Sequence, residues 1–550
     1  MKKIRLILSN LFYFIKKNRL SFSFGLIIIM FFFTRLPFFI NYRIVGFGAD
    51  IFGYFKIVEQ INNSQLPVFD IRTPGYPLFL KIISIFSDSL IAVVFVQNLI
   101  SLLCSLFFVY VIYKKYTKYT ISVAVALVIF TTSALHLCFD TFIYTESLFI
   151  NIILLFVSFL ILSFNSNKKK YWLLCSTLMM FAIYVRPAGL FLIPVSIIIL
   201  IYLFINKYSA KIKIYFIAPL IILYILLSSY NYLTVKKFSI SPLGGLSIIG
   251  TVFSFMETDS LNPQYINETI NKVSSLYPPK DRNIIKKSCS IKKIYNSYNS
   301  NYGSFVGIIY NDLADNTYYN IPDNKQYIYL IEDLKKIAYG SIKKHPELYT
   351  KIVFTMFLHY YTNIFWAYFY DDFLYERVNI MNWDFNHYNS MKYKKRTRCL
   401  NSGILSKNVI KLSFKEYLNY DVSKVKDNLK NNSLLRILNH NYTKAHNLLF
   451  RNYFWIFIFF TILINSIIKL YKSNFKNKNA FIIFVICSMN IFNAFLVSLV
   501  QSTGFRYAFP LEFTYYLSFA LSPLIIDYKN IFHKITLKLN IAKQSRIRYK

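Results

Sequence analysis

Long hydrophobic runs separated by short polar stretches dominate the chain. Each run is close to the roughly 20 residues that an α-helix needs to cross a bilayer. The pattern predicts a mainly α protein, a polytopic membrane helical bundle of about ten spans, or twelve if two further segments cross. The predicted spans are residues 22–40, 91–113, 119–139, 143–164, 171–185, 187–206, 213–233, 452–470, 480–500 and 505–526.

Composition agrees with insertion into a membrane. Hydrophobic residues make up 55% of the 550 positions and aromatic residues make up 19%, which is richer than a soluble domain. The first run follows a basic start and continues through Phe39 without a small-residue cleavage site, so it predicts an uncleaved anchor. We therefore expect an integral, multi-pass membrane protein.

Charge predicts which loops face which side. With the N-terminus inside, the predicted cytoplasmic segments contain 26 Lys and Arg residues, whereas the short outer loops contain six. Short loops rich in Lys and Arg stay in the cytoplasm. The acidic residues of the first 233 positions all lie in or beside outer loops, where an outer-face active site would need them: Asp50, Glu59, Asp70, Asp88, Asp140 and Glu146.

The formal net charge of +38 does not indicate a nucleic-acid partner. Its basic residues are spread over loops on both faces, and no motif that reads RNA or DNA accompanies them. The cytoplasmic share is instead suited to attract anionic membrane lipids.

The spans divide the chain into three parts. Residues 1–233 form an N-terminal transmembrane catalytic module, with a first outer loop at 41–90. Residues 234–451 form an outer-face domain, which we expect to be of mixed structure with juxtamembrane helices. Residues 452–550 contain the C-terminal transmembrane helices and a basic cytoplasmic tail.

One segment of the outer domain leaves the span count open. Residues 352–370 are apolar and aromatic enough to cross, but His359 and the many aromatic residues favour a helix lying at the membrane interface. If this segment does cross, residues 240–256 are the expected partner span.

The first outer loop contains the best indication of chemistry. Asp50 precedes apolar residues at helical spacing, which predicts a short amphipathic helix on the outer leaflet whose apolar face is Ile51, Phe55, Val58 and Ile61. The structural alternative for Asp50 is an N-cap. Arg72-Thr73-Pro74-Gly75-Tyr76-Pro77 follows in the same loop.

A carboxylate and an arginine in one loop suit sugar transfer from a lipid phosphate. Asp50 can take the proton from an acceptor hydroxyl, and the Arg72 guanidinium can bind phosphate through two nitrogens. Arg186 and Arg506, at the outer ends of predicted spans, are further phosphate ligands in this hypothesis. The alternative for each arginine is snorkelling to the interface.

Three ionisable residues border the second outer loop. His136 and Asp140 are four residues apart and so share a helical face, and together with Asp50 they form a candidate site for a divalent metal ion. The alternative is an interfacial histidine and a helix-capping aspartate. Glu146 is the stronger functional candidate, because a carboxylate at the start of an apolar helix is costly without a partner.

Five short motifs, in this order, resemble the GT-C glycosyltransferases. The resemblance is strongest to bacterial relatives of protein O-mannosyltransferases and of the aminoarabinose transferase that modifies lipid A. It covers about residues 22–233 and 500–526. The motifs are Gly48-Ala49-Asp50, Arg72-Thr73-Pro74-Gly75-Tyr76-Pro77, Tyr144-Thr145-Glu146-Ser147-Leu148, Arg186-Pro187-Ala188-Gly189, and Arg506-Tyr507 with Pro510.

The resemblance implies a sugar donor carried on polyprenyl phosphate and an active site facing the periplasm or lumen. For a bacterial protein we expect the inner (cell) membrane, with the active site facing the periplasm or exterior. It also implies an essential aspartate in the first outer loop, which Asp50 matches. The protein O-mannosyltransferases carry a second acid beside it, whereas this chain has Ile51, so the reaction type carries over and the acceptor does not. We predict catalytic roles for Asp50 and Glu146, and substrate binding by Arg72, Tyr76, Arg186, Arg506 and Tyr507.

Other functions remain open at this point. A polysaccharide polymerase or ligase also uses polyprenyl-linked sugars at the outer face. A transporter or flippase of lipid-linked sugars needs polar sites near mid-membrane, whereas Arg35 and Glu512, the main ionisable residues within predicted spans, lie toward the outer ends. A catalytically inactive assembly protein is the remaining alternative.

Overall fold

The computed structural model describes a mostly helical chain without β-strands in the described part. The described residues are 13–37, 39, 51–69, 72–87, 89–166, 168–241, 244–260, 262–276, 279–288, 290, 292–297, 323–362, 441, 442, 445, 449, 453–500 and 509–528. The predicted mainly α fold is confirmed for these residues.

The helices follow the hydrophobic runs closely. In the described part of the chain, four short 3₁₀ segments join or extend them: Thr117–Tyr119, Pro187–Phe191, Phe509–Leu511 and Ser522–Leu524. The α-helices are α1 (Arg19–Pro37), α2 (Ile51–Asn62), α3 (Gly75–Ser84), α4 (Leu90–Tyr116), α5 (Thr120–Thr131), α6 (Ala134–Thr141), α7 (Thr145–Ser166), α8 (Lys169–Val185), α9 (Leu192–Ile205), α10 (Ala210–Val235), α11 (Gly244–Val252), α12 (Gln264–Leu276), α13 (Pro279–Lys287), α14 (Asp323–Lys344), α15 (Pro346–Thr362), α16 (Tyr453–Lys472), α17 (Lys478–Val500) and α18 (Phe513–Leu521).

Seven helical stretches among the described residues are long and apolar enough to cross a membrane. Three of the predicted spans correspond to shorter helices. The segment 119–139 contains α5 and most of α6, the segment 171–185 lies within α8, and the segment 505–526 contains α18. The seven stretches are Arg19–Leu36, Leu90–Thr131, Thr145–Ser166, Pro187–Ile205, Ala210–Val235, Phe454–Lys472 and Lys478–Val500.

Burial separates central helices from peripheral ones. Of an 18-residue apolar stretch in each helix, 78% is buried inside the protein in α7 and 72% in α17. The buried share is only 28% in α1, α10 and α16. The outer face of α10 exposes large aliphatic side chains such as Ile221, Ile225 and Leu233. An exposed apolar surface of this kind on a long helix is suited to contact lipid.

Hydrogen bonds join the lysine-rich loops at one end of the bundle, which we call the basic end. Arg19 Nη1 donates to the Thr117 carbonyl at 3.2 Å, and Lys478 Nζ donates to the Phe164 carbonyl at 3.3 Å. Consecutive long helices run in opposite directions. Asp140, Glu146 and Arg186 therefore lie at the other end of the bundle, which we call the site end.

The described part of the predicted outer domain is helical and has its own core. Helices α11 to α15 bury apolar side chains against one another, including Ile249, Ile266, Leu334 and Met356. Within the predicted interfacial segment 352–370, residues 352–362 belong to α15, and the remainder lies outside the described residues. Instead of being isolated, α15 packs against α17 of the main bundle.

The first outer loop forms two helices that pack on the bundle. The helix predicted after Asp50 is present as α2, which begins at Ile51. Its buried apolar residues are Tyr54, Ile57 and Val58, and Glu59 is buried beside them, so the buried face is displaced around the helix from the predicted one. The reason is tertiary packing, because Ile57 contacts the cluster that includes Met180 of α8.

Candidate functional site

The predicted site residues are only partly within the described part of the chain. Asp50, Arg506 and Tyr507 lie outside the described residues, so the predictions about them stay predictions. The others occur on α3, α6 and α7, in the loop before α3, and at the end of α8, all at the site end: Arg72, Tyr76, His136, Asp140, Glu146 and Arg186.

Glu146 and Arg186 form a buried ion pair. Glu146 Oε1 lies 3.0 Å from Arg186 Nη1, and the two side chains are 0% and 6% exposed. Thr145 Oγ1 donates to the other carboxylate oxygen at 3.1 Å. Glu146 is the second residue of α7, where the helix dipole also stabilises a negative charge. The guanidinium of Arg186 therefore points inward and does not snorkel to the interface.

Local sequence explains the position of Arg186. Helix α8 ends at Val185, and Pro187 begins the next short 3₁₀ segment, because the residue before a proline is disfavoured in helical conformation. Arg186 itself has an extended backbone with φ −150° and ψ 125°. A Cβ on Gly189 would lie 3.0 Å from the Ile183 nitrogen, so glycine lets this turn fold closely onto the end of α8.

A second buried charge cluster joins α1, α6 and α7. Asp140 Oδ2 lies 2.8 Å from Arg35 Nη2 and 3.2 Å from His136 Nε2. Ser147 Oγ donates to Asp140 Oδ1 at 2.6 Å. Burial opposes ionisation of Asp140, but His136, Arg35 and Ser147 together hold its pKa below the usual range. Asp140 is therefore a charged centre that binds three side chains, and the capping interpretation does not describe it.

His136 is not arranged as the base of a catalytic triad. Its Nε2 atom lies 3.1 Å from Ser101 Oγ, and the same nitrogen contacts Asp140. A Ser-His-Asp relay needs two different ring nitrogens, one toward the nucleophile and one toward the carboxylate.

The described residues do not form a metal site. Among them, no group of three or more His, Cys, Asp or Glu side chains is placed to hold an ion. The Arg35 guanidinium already lies against the Asp140 oxygen that a metal ion would use. The predicted site also requires Asp50, which is outside the described residues, so a divalent metal ion stays a prediction.

Arg72 lies against the first turn of α2. Its guanidinium carbon is 5.3 Å from the centroid of the Tyr54 ring. A Cβ on Gly53 would approach Arg72 Nε to 3.1 Å, so the absence of a side chain there lets the guanidinium approach. Gly53 and Tyr54 are three and four positions after Asp50. Arg72 thus contacts the helix that begins immediately after the predicted base.

Tyr76 is fully buried, and its hydroxyl donates to Gln97 Oε1 at 2.7 Å. Burial is the largest cause that raises the pKa of Tyr76, and Tyr54 and Glu146 add to it. The phenol therefore stays protonated and remains a donor. Its observed hydrogen bond is internal, and the predicted contact with substrate stays a prediction.

A close backbone contact joins two of the predicted motifs. A Cβ on Gly75 would lie only 2.8 Å from the carbonyl carbon and oxygen of Tyr184 and from the Val185 nitrogen. The motif that contains Arg72 and Tyr76 therefore packs directly on the residues that precede Arg186.

Several buried polar residues at this end were not predicted as site residues. Gln97 and Asn98 are consecutive amides in the apolar helix α4, a pattern that itself indicates internal polar contacts. Glu512 precedes α18 and accepts a hydrogen bond from the Tyr516 hydroxyl at 2.9 Å. Tyr360 of α15 is buried beside Glu512 and Arg186, and burial is the main cause of its raised pKa.

Comparison of the chain with protein-family models, curated proteins and solved structures finds no match.

Proposed function

We propose that this protein is a membrane glycosyltransferase that moves a sugar from a polyprenyl-phosphate donor to a lipid, glycan or protein acceptor. The observation that carries the proposal is the convergence of three distant motifs. Gly75 packs on the backbone just before Arg186, and Arg186 pairs with Glu146. These residues match three of the five motifs that resemble the GT-C glycosyltransferases.

The proposed reaction is a single displacement at the anomeric carbon. Asp50 accepts the proton of the acceptor hydroxyl while its oxygen forms a bond to that carbon. The bond between the carbon and the phosphate oxygen breaks, and polyprenyl phosphate leaves with the bonding electrons. Attack from the opposite face inverts the anomeric configuration. Guanidinium groups stabilise the charge on the leaving phosphate, with Arg72 and Arg186 as the described candidates and Arg506 as the third.

Glu146 has a defined part in this mechanism. Because its carboxylate pairs with Arg186, it sets the direction of the guanidinium before substrate binds. Preorganised charge of this kind lowers the barrier without reorganisation during the reaction. We propose that Arg186, held in this direction, contacts the donor phosphate.

The proposal includes the finer topology and location. Ten spans, or twelve if the α15 region crosses with residues 240–256, would place the N-terminus in the cytoplasm and the site at the periplasmic face of a bacterial inner membrane. The separation of the basic end from the site end supports this orientation. Residues 234–451 would then lie at the outer face, where the acceptor binds.

A second candidate is a carrier for lipid-linked sugars. The observation that favours it is the buried Arg35–Asp140–His136 cluster, because intramembrane ionisable groups often mark transport pathways. A carrier would move the donor lipid across vesicles without forming a glycosidic bond.

The deciding experiment uses purified full-length protein with labelled polyprenyl-phosphate sugars and membrane extracts. Wild type is expected to produce a labelled glycoconjugate, and Asp50→Asn is expected to reduce the rate by about 10²- to 10⁴-fold, because an amide can cap a helix but cannot accept the proton. Glu332→Gln is the control, because it removes a carboxylate from a solvent-exposed ion pair with Lys237.

The outcomes separate the candidates. Normal transfer by Asp50→Asn would return Asp50 to a capping role and overturn this mechanism. Lipid translocation without transfer by wild type would favour the carrier.

A further inference from the structure

We infer that Tyr76, Gln97 and Asn98 form a hydrogen-bonded bridge that positions the turn before Glu146 relative to the first outer loop. We call these three residues the amide bridge. The inference rests on the proposed function, because it assigns positioning residues to the same site.

Two amides of α4 converge on one carbonyl group. Gln97 Nε2 donates to the Asp140 carbonyl at 3.3 Å and to the Phe142 carbonyl at 2.9 Å. Asn98 Nδ2 donates to the same Asp140 carbonyl at 2.9 Å. Both amide side chains are almost fully buried, at 1% and 2% exposure. The residues that join α6 to α7 are therefore held from the side by α4.

The oxygen atoms of the same amides accept from the two flanking elements. Gln97 Oε1 accepts from the Tyr76 hydroxyl at 2.7 Å, and Asn98 Oδ1 accepts from Arg35 Nε at 3.3 Å. These partners determine how each amide is oriented, because a reversed amide would direct its oxygen at backbone carbonyl oxygens. The bridge thus runs from α3 and α1, through α4, to the loop before α7.

The bridge connects the two halves of the proposed site. On one side, Tyr76 belongs to the motif that begins at Arg72. On the other, the Phe142 carbonyl lies four residues before Glu146, which pairs with Arg186. Gln97 therefore links the first outer loop to the turn before Glu146, in addition to the direct contact of Gly75 with the end of α8. A displacement of about 1 Å in such an arrangement is able to cost about 10²-fold in rate.

Filling the space between helices does not by itself require the amide side chains of Gln97 and Asn98. Buried amides carry a desolvation cost that an aliphatic side chain of similar volume avoids, and the cost is offset only when their hydrogen bonds are satisfied. Gln97 and Asn98 both donate to the Asp140 carbonyl, so this carbonyl is restrained by two hydrogen bonds from α4 instead of one. This is the property expected of positioning residues.

The test compares Tyr76→Phe, Gln97→Met and the double variant in the full-length protein. Each removes the hydrogen bonds of its residue while nearly keeping its volume. For each single variant we expect kcat to fall about 10- to 100-fold, with a smaller change in KM, because geometry is lost while donor contacts remain. The double variant should be no slower than Gln97→Met alone, because both changes break one bridge.

Asn231→Leu is the matched control. Asn231 is a buried amide at the end of α10, and its Nδ2 also donates to two backbone carbonyls, those of Ser239 and Ile240, at 2.7 and 3.2 Å. Its loss should lower thermal stability to a similar degree as Gln97→Met. Because it does not contact the loop before α7, kcat should stay within about twofold of wild type.

A second readout does not depend on activity. Hydrogen exchange of the backbone in residues 141–147 should be faster in Gln97→Met than in wild type, and unchanged in Asn231→Leu. If wild type transfers no sugar but exchange follows this pattern, the proposed function fails and the bridge stands. If transfer occurs but Gln97→Met matches Asn231→Leu in both kcat and exchange, the amide bridge is overturned.

Discussion

The buried charged side chains at the site end have partners from distant parts of the sequence. Arg35 and Asp140 are 105 positions apart and lie 2.8 Å from each other with almost no solvent exposure. A buried pair of this kind contributes little net stability compared with apolar residues of equal volume. Removal of one member is costly, because the other charge is left in an apolar surrounding.

This reasoning predicts the behaviour of variants at Arg35 and Asp140. Asp140→Asn should destabilise the protein by about 3–5 kcal/mol at neutral pH, and Arg35→Met should do the same. The double variant Arg35→Met/Asp140→Asn should cost much less than the sum of the two single changes. Thermal unfolding in detergent measures these effects, with Glu332→Gln as an exposed control. Additive losses would contradict the coupling.

The pH dependence follows from the lowered pKa of Asp140. A carboxyl whose pKa is lower in the folded state stabilises the protein at pH values above its unfolded pKa of about 3.9. This contribution is lost as the pH falls through the folded-state value. The difference in stability between wild type and Asp140→Asn should therefore be constant near neutrality and shrink below about pH 4.

At the scale of elements, the site depends on how closely α3 approaches the end of α8. The backbone atoms of Tyr184 and Val185 lie so close to Gly75 that there is no room for a side chain at this position. Tyr76, the next residue, then reaches Gln97 of α4. Gly75 thus controls the position of the helix that carries Tyr76.

Gly75→Ala should consequently be destabilising. The new methyl group meets backbone atoms, which cannot rotate away, so we expect a cost of about 1–3 kcal/mol and a clear loss of transfer. Gly340→Ala is the matched control, because it lies within α14 and a Cβ there meets nothing within 4 Å. It should be neutral or stabilising by up to about 1 kcal/mol. Equal unfolding temperatures for the two variants would contradict the close contact.

At the scale of the whole molecule, the charged loops distinguish the two ends of the bundle. The basic end is closed by contacts such as the hydrogen bond between Tyr116 and Asn479 at 2.9 Å. The site end carries the buried carboxylates and the helices of the predicted outer domain. The proposed orientation places the basic end in the cytoplasm and the site end at the outer face.

Cysteine labelling in a variant without native cysteines tests this orientation. A membrane-impermeant maleimide applied to intact cells should modify Asn63→Cys and Glu347→Cys, which are exposed at the site end. Lys118→Cys, exposed at the basic end, should react only after permeabilisation. The reverse pattern would place the site in the cytoplasm and contradict the proposed orientation.

Local sequence was sufficient to predict the long apolar helices, because the length of an apolar run and the charge of its flanks are properties of a single segment. It also identified Glu146, Arg186 and the Arg72 motif as residues to examine. The buried face of α2 was not predictable in this way. The pattern marked Phe55 and Ile61, whereas packing buried Ile57 against Met180 of α8 and Tyr54 against the Tyr76 ring of α3.

The pairing of side chains arose from the packing of the helices. Nothing in the hydrophobic pattern pairs Arg35 with Asp140, or brings Gln97 to the loop before Glu146, because such contacts arise when the faces of separate helices meet. The apolar runs and their charged flanks are enough to specify long apolar helices with charged ends. Packing decided which of those charges were buried together, since buried charges and amides require close partners that only neighbouring helices supply.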